Sequence, residues 1–174
     1  MATWTEHSAG KTAPYPVIYR QDANAPKEVV TLSYAELDKK NTTWSVPVTK
    51  ARLARISDLE KITDVALYQD PQSGKVYGMR IFNGEQTKDI PFTQLRNILG
   101  EDQLKSSDFK ITWIDDTLLL TGYGRGPGVG VCLYSAKVMT EKGFQAHELL
   151  NTFFPGSSIV MMKDLKETLP SSSR

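Results

Sequence analysis

The glycine-rich segment at residues 122–130 has the composition that most directly suggests a binding site. It carries glycine at positions 122, 124, 126, 128 and 130, between a strand-like run and a helix-like run. A strand, a glycine loop and a helix bind phosphate in nucleotide folds, because bare N–H groups and the helix dipole converge on the anion. The dinucleotide motif Gly-x-Gly-x-x-Gly fails in all three registers, since Pro127, Val129 and Val131 stand at its third glycine. The strict alternation instead predicts an extended segment whose one face lacks side chains and admits a backbone or a bulky ligand.

A second phosphate-like motif, SAGKT at residues 8–12, resembles the end of a P-loop. That motif needs a glycine five positions before Gly10, where this chain has Thr5. Pro14 and Pro16 follow and oppose the helix that a P-loop requires. Neither glycine-containing motif therefore predicts nucleotide binding.

The remaining reactive side chains are isolated from one another along the chain. His7 alone is more typical of a structural histidine than of a zinc ligand, because zinc sites use three or four protein ligands. Cys132 is predicted in the first turn of a helix, where a thiolate could be stabilised, but a lone cysteine is usually a small apolar residue. Asp115 and Asp116 are typical of a hairpin turn, and His147 is predicted to face solvent.

The composition limits the classes of protein that remain. The chain has 174 residues, 40% hydrophobic and 24% charged, which suits one soluble domain. The net charge of +1 gives no overall attraction to nucleic acid or anionic lipid. A single cysteine precludes an internal disulfide, and no stretch approaches the roughly 20 apolar residues of a membrane-spanning helix. The N-terminus lacks the basic and apolar regions of a signal peptide.

The elements that would position these residues follow from periodicity and turn signals. Strands are predicted at 17–20 and 42–50, a strand or short helix over 28–40, and a helix over 49–61 capped near Thr49. A hairpin pairs 62–68 with 75–82, and a turn at 83–85 leads into 87–92. A helix at 92–100 is capped by Thr93 and ended by Gly100, with Leu95, Ile98 and Leu99 on one face.

The C-terminal part is predicted as a second hairpin followed by two helices. The hairpin pairs 108–114 with 117–122 across Asp115 and Asp116. Helices at 131–143 and 144–154 are divided by Gly143, and residues 155–156 stop the second one. These elements together predict a single strand-rich domain of the α+β class, with β-hairpins and two C-terminal helices after the glycine-rich loop.

Several stretches, in the same order, resemble one known family. Residues 122–159 resemble the C-terminal signature of the sporulation stage II protein D / LytB domain family. Upstream, 73–81 resembles its Ser-Gly-Arg-Val strand, 94–111 its Leu-Arg-x-x-Leu-Gly and Leu-x-Ser-x-x-Phe stretch, and 6–12 its His-Ser-x-Cys-Gly-Gly-x-Thr segment. The positions that match the C-terminal signature are Gly126, Gly128, Val129, Gly130, Tyr134, Ala136, Met139, Gly143, Leu150, Phe153, Phe154, Pro155 and Gly156.

The resemblance implies a role at the cell wall. Family members are lytic transglycosylases, which cut peptidoglycan glycan strands, or amidase enhancers, and their catalytic glutamate lies upstream of the His-Ser segment. This chain begins at that segment, and none of Glu36, Glu60 or Glu148 has a matching context. We therefore expect no catalytic residue and no cleavage by this chain alone.

The chain departs from the family at polar positions. Pro127 replaces the loop histidine, Leu133 the glutamine, and Ser135 the glycine before Ala136. A cysteine that some members use as a metal ligand is missing near Ala9. No cofactor is expected, and zinc, present in some relatives, would have only His7 as a weak candidate ligand.

The resemblance predicts a domain over residues 1–164 without the catalytic segment, and a polar tail at 165–174. Its substrate-binding residues would lie in the glycine loop, where Arg125 could contact a carboxylate or be solvated, and Tyr123 could stack on a sugar or pack. The predicted set is Tyr123, Gly124, Arg125, Gly126, Gly128 and Gly130.

The expected partners are peptidoglycan glycan strands, with a cell-wall amidase as a further candidate and no nucleic acid. An upstream signal would place the protein in the cell envelope or periplasm, or otherwise outside the cytoplasm. A true start at Met1 would make it cytoplasmic. Two alternatives stay open: a non-catalytic amidase partner or wall-binding module, and an unrelated cytosolic protein.

Overall fold

Short strands and helices alternate in the computed structural model, which describes residues 4–8, 10–21, 31–32 and 40–160. Along these ranges the strands are β1 (Trp4–Thr5), β2 (Gly10–Lys11), β3 (Thr31–Leu32), β4 (Thr43–Thr49), β5 (Asp64–Gln69), β6 (Val76–Phe82), β7 (Thr87–Pro91), β8 (Phe109–Ile114), β9 (Thr117–Tyr123) and β10 (Val131–Cys132). The helices are α1 (Tyr15–Tyr19), α2 (Lys50–Ser57), α3 (Phe92–Leu99), α4 (Leu133–Glu141) and α5 (Ala146–Phe153). The predicted α+β class, with two C-terminal helices after the glycine segment, is confirmed.

A three-stranded antiparallel sheet, in the order β4-β9-β8, leads into the glycine segment. Alternate side chains of β4 are buried, as the period of a half-buried strand requires, and the buried Val46 pairs with Leu120 of the central β9. The predicted hairpin across Asp115 and Asp116 is confirmed, with Asp115 at a φ of 51° in the turn. Strand β9 therefore delivers the chain to residue 124 at a fixed height above the core.

A second antiparallel sheet, in the order β5-β6-β7, contains both turns predicted between residues 62 and 92. Its central strand β6 buries Val76, Met79 and Ile81. Helix α3 packs on this sheet through Phe92 and Leu95. The buried side chains of the two sheets belong to one hydrophobic core.

The predicted strand at 17–20 is wrong, because these residues belong to helix α1. Pro14 occupies the N-cap and Pro16 lies in the first turn, where a proline's missing N–H costs nothing and its fixed φ suits a helix. Tyr15 and Ile18 lie three residues apart on the buried face. The prolines, interpreted as loop signals, thus begin a short helix.

Helix α2 confirms the predicted cap at Thr49, whose side chain accepts a hydrogen bond from the Arg52 N–H at 3.3 Å. The helix ends at Ser57 rather than running to residue 61. Asp58, at a φ of 56°, adopts the left-handed conformation that ends it.

Helix α3 is correctly predicted in position and end, but the cap at Thr93 is wrong. Pro91 is the N-cap residue and makes no side-chain capping bond, so Thr93 lies inside the helix. Leu95 and Leu99 are buried as expected, whereas Ile98 is 42% exposed.

The first C-terminal helix begins two residues later than predicted. Residues 131–132 instead form β10, which pairs in parallel with β1. Gly143 separates α4 from α5 as predicted, and Gln145 and Glu148 form a capping box at the start of α5. Cys132, Met139 and Phe153 are buried together beneath these helices.

Some predictions fall partly or wholly outside the described ranges. They are the strand or helix over 28–40, of which 31–32 form β3, together with Glu36 and the polar tail at 165–174. Within the described ranges, none of the helices has the length and apolar character needed to cross a membrane.

Candidate functional site

Beyond Gly122, the glycine segment is not the extended strand that its alternation predicts. Gly124, Gly126, Gly128 and Gly130 have φ values of 79°, 113°, 71° and 72°. Glycine adopts positive φ without the steric cost that a side chain brings. The alternation therefore marks a segment in which every second residue turns the backbone.

The segment runs between two other stretches of backbone. On one side, the His7 N–H donates to the Arg125 carbonyl at 3.0 Å, and the Arg125 N–H donates to the His7 carbonyl at 2.9 Å. On the other side, the Gly126 N–H donates to the Lys105 carbonyl at 2.8 Å. Ser107 Oγ donates to the Pro127 carbonyl at 2.7 Å. The loop is thus paired on both edges, like the middle strand of a small sheet.

The missing side chains give room for protein neighbours. A Cβ atom added to Gly126 would lie 2.9 Å from Thr5 Cα, and one added to Gly128 would lie 2.9 Å from Ser107 Oγ. A Cβ at Gly124 would collide with the His7 carbonyl. These glycines are buried by packing against residues 5–7 and 105–107, rather than against the helix that follows.

A buried ion pair lies beneath the loop. Lys75, whose side chain is 1% exposed, pairs with Asp108, whose side chain is 16% exposed. The Lys75 methylenes would lie 3.1 to 3.2 Å from a Cβ at Gly128. The stretches at 73–81 and 104–111 therefore meet the glycine segment at this pair.

The wall of the glycine loop borders a cavity of about 440 Å³, which we call the loop pocket. It is lined by Glu6, His7, Asn41, Thr42, Thr43, Lys105, Gly124, Arg125, Leu133, Tyr134 and Lys137. Three of these side chains are cationic and one is a carboxylate, so the loop pocket has an excess of positive charge.

Arg125 is the predicted site residue with the most defined surroundings. Its Nε lies 3.3 Å from Glu6 Oε2, and its Nη2 lies 3.3 Å from Asp102 Oδ1. The side chain is 47% exposed, so it is accessible and ion-paired at the same time. A ligand carboxylate would therefore compete with Glu6 and Asp102 for this guanidinium.

An aromatic pair forms another part of the loop pocket. The rings of His7 and Tyr134 lie 4.8 Å apart, and the Tyr134 N–H donates to the Glu6 carbonyl at 3.1 Å. His7 is 5% exposed. Within the described ranges, no three His, Cys, Asp or Glu side chains come together to hold a metal ion.

The other predicted loop residues are distributed around the segment. Tyr123 is half-buried and borders an adjacent cavity of about 540 Å³, which Lys40, Asp108 and Lys110 also line. Gly126 borders a third cavity, and Gly128 and Gly130 turn the backbone without lining the loop pocket. Their predicted role in substrate binding stays a prediction.

Cys132 lies outside this site. It is the N-cap residue of α4 rather than part of the first helical turn, and it is fully buried. Its Sγ lies 3.6 Å from the Ser8 carbonyl, as in a weak S–H hydrogen bond. This geometry agrees with the interpretation of a small apolar residue. His147 is exposed, as predicted.

The sequence interpretation missed three charged residues of the loop pocket: Glu6, Lys105 and Lys137. Glu6 adjoins His7 in the chain, and Lys137 follows Leu133 by one helical turn. Only the i, i+4 spacing on α4 was a usable signal, and it required knowing that Leu133 borders a cavity.

Comparison with known proteins finds two longer relatives, whereas no protein-family model matches the chain. The chain is 30% identical over 129 residues, 74% of its length, to an uncharacterized protein of Brachyspira hyodysenteriae strain WA1. It is 27% identical over 73 residues, 42% of its length, to the amidase enhancer of Bacillus subtilis strain 168. The matches cover 31% and 10% of those proteins, so the chain corresponds to a part of each. The inferred likeness to amidase enhancers is thus confirmed over part of the chain.

Proposed function

We propose that this chain binds glycan strands of the bacterial cell wall at the loop pocket. The similarity to an amidase enhancer supports a wall-related role. The observation that carries the proposal is the excess of cations around an aromatic wall, set against the glycine loop. This function implies a place in the cell envelope, outside the cytoplasm.

The lining of the loop pocket suits a charged saccharide chain. Asn41, Thr42 and Thr43 place amide and hydroxyl groups along one side, and Tyr134 contributes a ring with a polar tip. Lys105 and Lys137 add positive charge opposite Glu6. Peptide-free wall glycan carries hydroxyl, acetamido and carboxylate groups, which these side chains can bind together.

The same pocket supports binding rather than cleavage. Most glycosidases place two carboxyl groups at the scissile bond. Among the described residues that line the loop pocket, Glu6 is the single carboxylate, and it is engaged by Arg125. Leu133, 45% exposed at the rim, offers no proton donor. We therefore infer that this chain alone holds the glycan without cutting it.

Cosedimentation with insoluble peptidoglycan tests the binding. We expect the wild-type chain to pellet with sacculi and the Lys105→Glu/Lys137→Glu variant to lose most of this binding, because two attractive charges become repulsive. Lys88→Glu, an exposed charge reversal on β7 away from the loop pocket, is the matched control and should pellet like wild type. Equal pelleting of all variants, or none by the wild type, would overturn the proposal.

Incubation with peptide-free glycan strands tests the absence of cleavage. We expect the chain to leave the length distribution of the strands unchanged, as followed by chromatography. Release of anhydro-muramyl products by the purified chain would show that it cleaves.

A role beside an amidase is the second candidate, favoured by the printed function of the Bacillus relative. A purified cell-wall amidase acting on sacculi would then release peptide faster when the chain is added. The Lys105→Glu/Lys137→Glu variant should not stimulate the amidase if stimulation requires glycan binding. An unchanged rate with the wild-type chain would contradict this candidate.

A further inference from the structure

A third cavity, of about 410 Å³, lies across the Glu6–Arg125 ion pair from the loop pocket. We call it the indole pocket, because Trp4 lines it together with Tyr19, Arg96 and Glu101. Glu6 and Arg125 line both cavities, so this ion pair forms the partition between them. The indole pocket has the size of a small-ligand site.

Trp4 presents an indole that the fold leaves uncovered. Its side chain is 62% exposed although its backbone is fixed by the parallel pairing of β1 with β10. An indole combines a large flat apolar face with one N–H donor, and such side chains dominate the energetics of many binding sites. Here the face is available to a ligand that offers a flat apolar surface of its own.

Arg96 contributes an enclosed donor. Its Nη2 lies 3.4 Å from Glu101 Oε2, while its side chain is 18% exposed. Its Nε is shielded from solvent and has no hydrogen-bond partner among the described residues. A shielded donor without an acceptor carries a desolvation penalty, which an acceptor on a ligand would remove.

The charges of the indole pocket balance. Arg96 and Arg125 face Glu6 and Glu101, whose side chains are 60% and 63% exposed. Burial, and then the neighbouring Tyr15, raise the pKa of Tyr19, so its phenol stays protonated at neutral pH. The cavity thus combines donors and acceptors without the positive excess of the loop pocket, which favours an uncharged polyhydroxyl ligand.

We propose that the indole pocket is a second saccharide site, which binds an uncharged N-acetylated hexopyranose ring. The ring stacks its C–H face on Trp4. Arg96 Nε donates to a hydroxyl or acetamido oxygen, and Glu101 accepts from a hydroxyl. This site goes beyond the proposed function, which concerns charged glycan at the loop pocket, and it rests on its own contacts.

Titration with two matched sugars tests the site by nitrogen-15 NMR of the Trp4 indole N–H. We expect N,N′-diacetylchitobiose to shift this signal saturably. N-acetylmuramic acid, which carries a lactyl carboxylate, should bind no more tightly. No shift of the Trp4 signal with either sugar would overturn the proposal. Binding of N-acetylmuramic acid about tenfold tighter or more would overturn its uncharged specificity, because that margin corresponds to about one strong added interaction.

Variants separate the two walls of the cavity. Trp4→Ala should weaken chitobiose about tenfold or more, Trp4→Phe should weaken it less, and Arg96→Lys should weaken it while keeping the charge. Phe144→Ala removes a partly exposed aromatic ring elsewhere and should leave binding unchanged. Affinity for chitobiose that is unaffected by Trp4→Ala would contradict the site even if the sugar binds. Unchanged amide spectra establish that each variant is folded.

The fate of the proposed function is measured separately. Lys105→Glu/Lys137→Glu should keep the Trp4 response to chitobiose while it loses sacculus binding. If the wild-type chain fails to pellet with sacculi but the Trp4 signal still responds, the indole pocket stands and the loop-pocket proposal falls.

Discussion

His7 and Arg125 exchange both of their backbone hydrogen bonds, at 3.0 and 2.9 Å, although 118 positions of sequence separate their numbers. The same strand of backbone is held on its other edge, where Gly126 N–H donates to the Lys105 carbonyl. The glycine segment is therefore part of the packed fold, and the Arg125 side chain projects from it between two cavities. Its rigidity follows from contacts that a side chain at the glycines would break.

Gly126→Ala should destabilise the fold strongly. The new Cβ would lie 2.9 Å from Thr5 Cα, in a residue whose φ is 113°. Backbone strain and overpacking each cost about 1–3 kcal/mol, so we expect a loss of about 2–5 kcal/mol in the free energy of unfolding. Urea denaturation followed by circular dichroism measures it.

Gly143→Ala is the matched control for that substitution. Its φ of 90° brings similar strain, but nothing lies within 4 Å of the new Cβ. The loss should be about 1–2 kcal/mol. Equal losses at the two positions would mean that close packing of the glycine segment contributes nothing.

Removing one partner of the Lys75–Asp108 pair should cost about 3–5 kcal/mol, because it leaves a largely buried charge without its counter-charge. Lys75→Met and Asp108→Asn test each side by chemical denaturation. The double variant should be more stable than the sum of the two losses implies, since it removes both charges.

An exposed pair provides the contrast. Lys50 Nζ lies 2.7 Å from Asp116 Oδ1, with side chains 40% and 85% exposed. Asp116→Asn should therefore change the free energy of unfolding by no more than about 1 kcal/mol. If it cost as much as Asp108→Asn, burial would not be what makes the Lys75–Asp108 pair important.

The parts of the fold that were predictable are those in which a period and a turn signal agree. The alternation of β4 and the Asp115–Asp116 turn each identify one structure from local residues alone. Helix α1 was not predictable in this way, because Pro14 and Pro16 are equally typical of a loop. Its helical state depends on the burial of Tyr15 and Ile18 in a core assembled from distant strands.

The candidate site was predictable at its backbone and not at its side chains. The glycine segment stands out by composition, and its neighbour His7 by the family resemblance. Lys105 and Lys137 carry no spacing signal that links them to Glu6. They converge because residues 5–7 and 105–107 pair with opposite edges of one loop, which only the tertiary structure reveals.

Asp89 should contribute stability that depends on pH. Arg80 binds it at two points, both 2.7 Å, and these hydrogen bonds hold the pKa of the Asp89 carboxyl below its usual value. A lowered folded pKa means that the contribution is complete above the unfolded value of about 4 and is lost as the pH falls through the folded value. Asp89→Asn should therefore destabilise the protein at pH 7, by no more than about 1 kcal/mol for this exposed pair, and progressively less below about pH 4.

The control for Asp89 uses its own partner. In an Arg80→Gln background, Asp89→Asn should show little of this pH dependence, because the main cause of the lowered pKa is gone. Urea unfolding between pH 7 and pH 2 provides the measurement. A difference between wild type and Asp89→Asn that grows as the pH falls would contradict the sign of the shift.

Glu6→Gln should strengthen the binding of peptide-free glycan, which carries carboxylates, at the loop pocket. The substitution keeps the shape of the side chain but removes the one carboxylate among the described residues that line this cavity, and it releases Arg125 from one of its two acidic partners. An exposed ion pair is worth about 0.2–1 kcal/mol, so the gain should be up to about fivefold in affinity at low salt. It should shrink at 1 M salt, where charges are screened beyond about 3 Å. Glu85→Gln, at an exposed turn outside the cavity, should leave affinity unchanged. Weaker binding by Glu6→Gln would show instead that the Glu6 carboxylate itself holds the ligand, and that the pocket recognises hydroxyl groups rather than negative charge.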